Sequence, residues 1–383
     1  MYSPMNGPAF SFWETQTYFR EIDLVVIGSG IVGLNAAISF KEKEPAAKVL
    51  VLERGMLPSG ASTKNAGFAC FGSASELLSD LQHSPQDHVW QTVEMRVEGL
   101  KLLRKRLGDR HIGFHRYGGF ELFDSQLKLE HCASNLDILN RQLRPLFGKD
   151  VYKMAGNYVK TFGFKGINGM ILNTEEGQID TGRMMDGLIR LASQRGIYLL
   201  NGLGADALED TQTGVRIYTP AGEICCRHLV VATNGFASEL LGLDDVKPAR
   251  AQVLVTKPIP DLKLKGTFHY DEGFYYFRNI GNRVLFGGGR NLDFETETTT
   301  EKQLNPMIQA RLDEMLANMI LPGKTVEVEQ RWAGIMGVGQ EKKPIIRKTG
   351  PNTVCAVRMG GMGVAIGSLV GQMAIDMLMS DKT

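Results

Sequence analysis

The chain has 383 residues, 43% of them hydrophobic, with 43 lysines and arginines against 42 aspartates and glutamates and a formal net charge of +1. That length supports a large core split between two intertwined domains, and the balanced charge supplies no bulk field to draw in nucleic acid or an anionic membrane. The five cysteines (Cys70, Cys132, Cys225, Cys226 and Cys355) form no C-x-x-C pair, which reads as reduced thiols rather than a disulfide framework or zinc site. The N-terminus has no basic head and no uninterrupted apolar segment. The longest apolar stretches, 24–40 and 364–379, are broken by polar residues and fall short of the ~20 that a membrane helix needs. A cytoplasmic protein without an integral membrane segment is expected.

Residues 1–20 read as an extension lying on the surface through Phe12, Trp13, Tyr18 and Phe19. Next come the strand "DLVVIG", a glycine turn, a helix over about 31–43 and the strand "KVLVLERG", which together make a first βαβ unit. In G-S-G-I-V-G, Gly28 makes the tight turn, Gly30 lets the backbone approach a pyrophosphate, and Gly33 lets helix and strand pack closely. N–H groups of the helix start, at Ile31 and Val32, then point at the phosphates. Glu53, twenty residues past Gly33 at the end of the second strand, is placed to accept a hydrogen bond from a ribose 2′-hydroxyl, which argues against a 2′-phosphate. Spacing alone leaves NAD and FAD both open.

After Arg54 comes "LPSGASTKNAGFACFGS", in which Ala61, Ser62, Thr63, Lys64, Asn65, Ala66 and Gly67 set polar groups among small residues. Such a loop suits the ribityl chain and ring of a flavin. Apolar residues recur at helical spacing over 82–110, and Lys101, Arg104, Lys105 and Arg106 among them read as a solvated face. "IDTGRMMDGLIRLASQRGIYLL" is a capped helix followed by a strand, and Ala205 beyond it is assigned to the cofactor site. "CRHLVVATNG" is a buried strand that stops at Ala232, Thr233, Asn234 and Gly235 with no bulky side chain. Residues 247–290 have the texture of an antiparallel sheet, and a helix is expected over about 300–319. The chain closes on strand, glycine turn and helix, with Gly360, Gly361, Met362, Gly363 and Val364 placing a helix N-terminus against the flavin N1–C2=O edge. The expected fold is α/β: a discontinuous Rossmann-like FAD-binding domain (21–110, 176–246 and 329–383) with an inserted antiparallel-sheet substrate domain (111–175 and 247–328).

The ordered segments "VVIGSGIVGL", "LERG", "GASTKNAG", "VATNGFASELLG", "VLFGGG", "WAGIMG" with "KKPII", and "MGGMGVAIGSLVGQMAIDML" carry a resemblance over about residues 21–379. The chain resembles the D-amino-acid oxidase superfamily of FAD-dependent oxidoreductases, the group of glycine oxidase, sarcosine oxidase and γ-glutamylputrescine oxidase. The resemblance implies FAD, hydride transfer from a carbon beside an amine to flavin N5, hydrolysis of the imine, and O2 or a quinone as electron acceptor. An FAD-dependent 2-hydroxy-acid dehydrogenase and a flavin-binding protein without turnover stay open as alternatives. The flavin is expected to be non-covalent, because no cysteine lies between Trp332 and Ile346 and no histidine in "GASTKNAG".

The resemblance also assigns roles. Tyr275 aligns with a pocket tyrosine, although only one of Tyr275 and Tyr276 can face the flavin from one strand. Lys64 and Asn65, a polar pair among small residues, are expected within hydrogen-bond reach of FAD or of a water on its reactive edge, with Lys64 helping to hold negative charge on the reduced ring. Met336 stands where glycine oxidase-like members present an arginine to the substrate carboxylate, and Met362 where they can carry a second. Oxidation of glycine or sarcosine is therefore disfavoured, and Arg290, ending "VLFGGGR", is the expected partner for a carboxylate on a longer amine. The seven histidines (His83, His88, His111, His115, His131, His228 and His269) have no metal-ligand spacing and read as surface or loop residues, so no metal site is expected.

Overall fold

In the computed structural model, which describes residues 10–380, the strand Ile22–Ile27 sits inside a sheet ordered Ile345–Lys348, Thr353–Val357, Gly222–Val231, Ile22–Ile27, Val49–Glu53, Tyr198–Asn201. The strands of this path pair in parallel except the first two. Parallel strands are covered on both faces, which explains why "DLVVI" and "VLVL" are unbroken apolar runs. A hairpin, Ala207–Thr211 with Gly214–Thr219, extends the sheet alongside Gly222–Val231. The helices Ile31–Lys43 and Gly363–Met379 cross closely on one face, and a Cβ on Gly371 would stand 2.5 Å from the Val32 carbonyl oxygen.

The helical stretch expected over 82–110 is the helix Gln86–Leu107, which Ser84 and Pro85 separate from a preceding helix, Ala74–His83. Its basic run is only partly a solvated face. Lys101 and Lys105 are exposed, but the Arg106 side chain is buried and donates to Asn35 Oδ1 at 2.6 Å, Ser39 Oγ at 2.7 Å and Glu42 at 2.7 Å. At the N-terminus, Ser11 caps the short helix Phe12–Glu14. Phe12 and Trp13 are exposed, whereas Phe19 packs against the core of the first sheet. Residues 1–9 of the expected extension lie outside the described residues.

The second sheet has the order Val328–Val338, Lys247–Thr256, Arg283–Gly288, Tyr275–Ile280, Thr267–Tyr270, Gly119–Phe123, Gly169–Asn173, Tyr152–Met154. It is antiparallel apart from the parallel pair Thr267–Tyr270 with Gly119–Phe123. Two corrections follow. The strand Val328–Val338, expected in the FAD-binding portion, pairs along its length with Lys247–Thr256 and belongs here. The helix expected over 300–319 begins only at Pro306, capped by Asn305, and ends in a π turn, Leu316–Ile320; proline is well suited to the first helical position.

Alternation along these strands separates two faces. Phe120, Phe268, Phe277 and Phe286 form an aromatic core with Ile308 and Leu312 of the helix Pro306–Met315, and Phe268 stacks on Phe277 with centroids 4.7 Å apart. Glu121, Thr267, His269, Tyr276 and Arg278 occupy the alternate positions. Arg278 reaches across to the other layer, donating to the carbonyls of Ala66 and of Ile179, the latter at 2.9 Å.

The connection after Arg283–Gly288 is held by a buried ion pair. Arg250 donates to Glu297 through Nε at 2.9 Å and Nη2 at 2.6 Å, and Gln252 and Asn305 donate to the same carboxylate at 2.8 and 3.1 Å. Glu297→Ala strands the buried Arg250 charge and should cost roughly 3–5 kcal/mol, read as a lower urea midpoint at unchanged m-value. A shift of only a few tenths of a kcal/mol would show that the pair does not hold this segment.

Candidate active site

The parallel strands end at a cavity of about 1000 Å³ that runs between the two sheets. This is the upper end of the range for cofactor sites, and ligands of open α/β sheets bind at the carboxyl ends of the strands. At one end the helix Ile31–Lys43 starts at Gly30, which gives no side-chain cap. Ser62 Oγ accepts the Ile31 N–H at 2.9 Å, and a Cβ on Gly30 would stand 2.8 Å from that oxygen. The remaining first-turn N–H groups point outward with the positive end of the helix dipole. Glu53 is buried and accepts from Ser29 Oγ at 2.7 Å, Ser29 N at 3.3 Å and Gly55 N at 2.9 Å. A carboxylate has about four acceptor positions, so one remains for a hydroxyl in the cavity.

A second uncapped helix start faces the same space. Gly360 and Gly361 turn the chain with φ of +56° and +83°, and the helix Gly363–Met379 follows without a side-chain cap. The hydroxyl of Thr233, which lines the same cavity, is buried without a hydrogen-bond partner among the described residues. Two open helix N-termini, a free acceptor on Glu53 and an orphaned hydroxyl fit a flavin dinucleotide with phosphates, ribose and a polar ring edge.

Every expected cofactor position lines this cavity except Gly33, Thr63 and Gly235. Gly33 packs inward, where a Cβ would lie 1.9 Å from the Gly28 carbonyl oxygen, and one on Gly235 would lie 2.3 Å from that of Met336. Thr63 donates to the Pro58 carbonyl at 2.7 Å within its own loop. Asn65 lines the cavity, but its amide is engaged in the loop. Nδ2 donates to Ala61 O at 3.3 Å and Ser62 O at 2.8 Å, while Oδ1 accepts from Gly67 N and Thr181 Oγ1, both at 2.9 Å. That exhausts the four bonds an asparagine side chain makes, so Asn65 shapes the loop and its side chain has none left for a cofactor. The Lys64 ammonium lines the cavity without a carboxylate partner among the described residues, and its carbonyl accepts the Trp332 indole N–H at 3.0 Å.

The other end of the cavity contains Arg290 and Met336, as expected, but not Tyr275. Tyr275 is on the aromatic-core face, 3% exposed, and its neighbour Tyr276 faces the cavity. Arg290 is half-buried with its guanidinium 4.7 Å above the Phe294 ring, and burial lowers its pKa against the field of Glu297. It forms no ion pair among the described residues. Met336 Sδ lies 3.4 Å from where a Gly361 Cβ would stand, and Met362 Sδ is 3.9 Å from Cys70 Sγ.

The sequence reading missed Phe68, Cys70, Glu76, His269, Glu272, Phe274 and Lys342, all of which line the cavity. His269 corrects the surface reading. His83, His88, His111, His115 and His131 are exposed, but His269 is 6% exposed and its Nε2 lies 2.6 Å from Glu176 Oε1. The Lys342 ammonium, 3.1 Å from Glu76 and 2.7 Å from Asp80, works against burial to hold the Glu76 carboxyl down at about 2. The missed signal was alternation: in "TFHY" and "YYFRN", Phe268 and Phe277 mark the core face, which puts His269 and Tyr276 on the other.

A family model described as DAO, FAD dependent oxidoreductase, matches residues 23–377. The chain belongs to this family. It is an FAD-dependent oxidoreductase. Among curated relatives it is 23% identical to a probable oxidoreductase, OrdL, of Rhizobium meliloti over 95% of this chain and 84% of that one. It is 21% identical to a glycine oxidase of Geobacillus kaustophilus over 94% of both. Among solved structures, L-proline dehydrogenase from P. horikoshii superposes with a TM-score of 0.78 at 18% identity, covering 95% of this chain and 94% of that chain. Glycine oxidase from Geobacillus kaustophilus superposes with 0.77 at 19% identity, covering 94% and 95%. Among the described residues, no helix is long and apolar enough to cross a membrane.

The protein should purify yellow and release its FAD on acid or heat treatment. Flavin that stays with the precipitated polypeptide would reveal a covalent bond. Gly30→Val, whose branched side chain would meet Ser62 Oγ, should abolish flavin binding, read as loss of the visible flavin absorbance relative to protein. A full flavin complement in that variant would remove this turn from the cofactor site.

Proposed function

We propose that this oxidoreductase oxidises the C–N bond of an amine that carries a carboxylate at some distance from the reacting carbon. Arg290 carries this reading: it is a half-buried guanidinium that lines the cavity, and the acid nearby, Glu297, is already paired with Arg250. A desolvated cation without its own counter-ion favours an anionic ligand group, and a planar guanidinium suits a carboxylate. The similarity to a glycine oxidase and to an L-proline dehydrogenase supports an amino-acid-like substrate.

Bound FAD supplies the hydride acceptor at N5, with O2 or a quinone receiving the electrons in turn. The chain's own groups provide position and electrostatics. Arg290 binds the carboxylate. Phe68 and Tyr276, edge to face at 5.7 Å, and Phe274 form apolar walls that orient the reacting carbon and exclude water. Lys64 and the N-terminus of Gly363–Met379 hold negative charge that develops on the cofactor. The imine product hydrolyses in water. Met336 and Met362 cannot pair with a carboxylate, so a small α-amino acid held as in the glycine oxidase-like members would bury its charge unpartnered.

Anaerobic mixing with panels of amines, amino acids and 2-hydroxy acids tests the reaction class: carboxylated amines should bleach the flavin. Bleaching by hydroxy acids alone would replace this reading with 2-hydroxy-acid oxidation. Arg290→Ala should raise KM for the acidic amine on the order of 10–100-fold, the loss of a charge-assisted hydrogen bond of ~1.5–3 kcal/mol. Efficient glycine turnover, undisturbed in Arg290→Ala, would overturn the assignment. Lys64→Met should slow flavin reduction more than it weakens FAD binding, and unchanged reduction kinetics would remove Lys64 from the site.

A further inference from the structure

We propose that His269, oriented by Glu176, is the base that takes the proton from the substrate ammonium before the carbon gives up its hydride. The proposal rests on the amine reading above. An amine donates hydride from the adjacent carbon only when its nitrogen has a free lone pair to stabilise the developing cation, and near neutral pH most amines are ammonium ions. Some group in the cavity must therefore accept a proton.

The other cavity groups are poorly suited. Arg290 and Lys64 are cations, and Lys342 is tied to Glu76 and Asp80. Glu76, held at about 2, is too weak a base, and burial pushes the Tyr276 hydroxyl up to about 12 and the Cys70 thiol well above its usual range. Glu272 is exposed.

His269 has the required geometry. Glu176 is fully buried, and the same oxygen that meets His269 Nε2 at 2.6 Å accepts the Thr267 hydroxyl at 2.7 Å. An ionised carboxylate only accepts, so Nε2 carries hydrogen whether the ring is neutral or charged. In the neutral ring the lone pair is then on Nδ1, which has no hydrogen-bond partner among the described residues. The ring forms part of the cavity wall, with Phe68 edge-on at 5.3 Å.

The step balances without a co-reactant: a substrate N–H bond breaks, an Nδ1–H bond forms, and the positive charge moves onto a ring already facing a carboxylate. The charged surroundings favour this. Burial alone would lower the imidazole pKa, but Glu176, Glu121 and Glu76 outweigh it and raise it to about 8. Glu121 faces His269 from the neighbouring strand, in register, and Glu76 comes from the helix Ala74–His83. Lys342, Asp80 and Arg96 of the helix Gln86–Leu107 surround Glu76, and Cys70, Tyr276 and Tyr152 belong to the same titratable cluster.

The test is anaerobic flavin reduction by an amine across pH, in the holoenzyme. For wild type the limiting rate should rise with pH along a single limb centred near 8, where the imidazole becomes neutral, and then level off. His269→Gln should lose the limb and slow reduction on the order of 10²–10⁴-fold, and added imidazole should restore part of the rate in His269→Gly. Glu176→Gln removes the charge that favours the imidazolium, so the limb should move to lower pH by about 1–3 units. Nitrogen NMR of the wild-type holoenzyme gives a readout independent of turnover and of any variant's folding: above pH 8 the His269 ring should carry its hydrogen on Nε2. An amine that reduces His269→Gln at the wild-type rate and with the same limb, or a hydrogen on Nδ1, would overturn the base and leave the amine reading intact. Failure of every amine to reduce wild type would overturn the amine reading, and the base with it.

Discussion

The cavity depends on Arg278, a buried cation that ties one sheet to the other. Its guanidinium leaves the strand Tyr275–Ile280 and donates to the carbonyls of Ala66 and Ile179. Among the described residues no carboxylate meets it, and burial lowers its pKa to about 10 with Asp180 opposing. A charge desolvated in this way is tolerated only because backbone oxygens take its hydrogens. The arrangement therefore fixes the loop 61–67 against the second sheet, and Trp332 fixes the same loop from another strand through the Lys64 carbonyl. Both anchors hold backbone rather than side chains, so the loop's exposed groups can differ without loosening the joint.

With the two layers pinned, the polar face of the second sheet becomes one wall of the site, and its charges cannot be distributed at will. Glu76, Glu121 and Glu176 lie beneath or beside that face, with Arg96, Lys342 and His269 among them. Ser73 and Ser75 donate to Glu121, and its carboxyl is pushed up by burial. A buried network of this kind costs stability where any member is left unpaired, and it also fixes each member's orientation. The carboxylates that outnumber the cations make the imidazole the natural place for an extra proton, while Arg290, on the separately anchored segment after Arg283–Gly288, supplies positive charge from elsewhere in the cavity.

Much of the nucleotide end was legible in the sequence because its chemistry is local. Gly28, Gly30, Gly33 and Glu53 fall within one βαβ unit, where spacing along the chain is spacing in space, and the turn at Gly360 to Gly363 is equally compact. The part of the cavity lined by the second sheet was less legible because non-local pairing assembles it. Whether Tyr275 or Tyr276 faces the cavity depends on which side of the sheet the helix Pro306–Met315 covers, and His269 gains its meaning only from Glu176, 93 residues away. The strand Val328–Val338 was misassigned for the same reason: its partner, Lys247–Thr256, lies far back in the chain. Asn65 shows the reverse error. Its polar character was visible, but only the structure shows that its four hydrogen bonds stay within and beside its own loop.

The soft groups beside the turn at Gly360 to Gly363 bear on where a substrate carboxylate would be held. Met336 ends against Gly361, and Met362, at the start of the last helix, touches Cys70. By the resemblance, Met336 stands where glycine oxidase-like members present an arginine to the substrate carboxylate, and Met362 where they can carry a second. Thioethers there remove two cations at once and leave an apolar, adaptable surface. A carboxylate near that surface would have no partner and would also meet the field of the acids behind His269. The function proposed above therefore favours a molecule that keeps apolar substance beside Met336 and Met362 and extends its anionic group to Arg290. On the function proposed above, selection for length would come from a charge withheld beside Met336 and Met362 as much as from the charge that Arg290 offers.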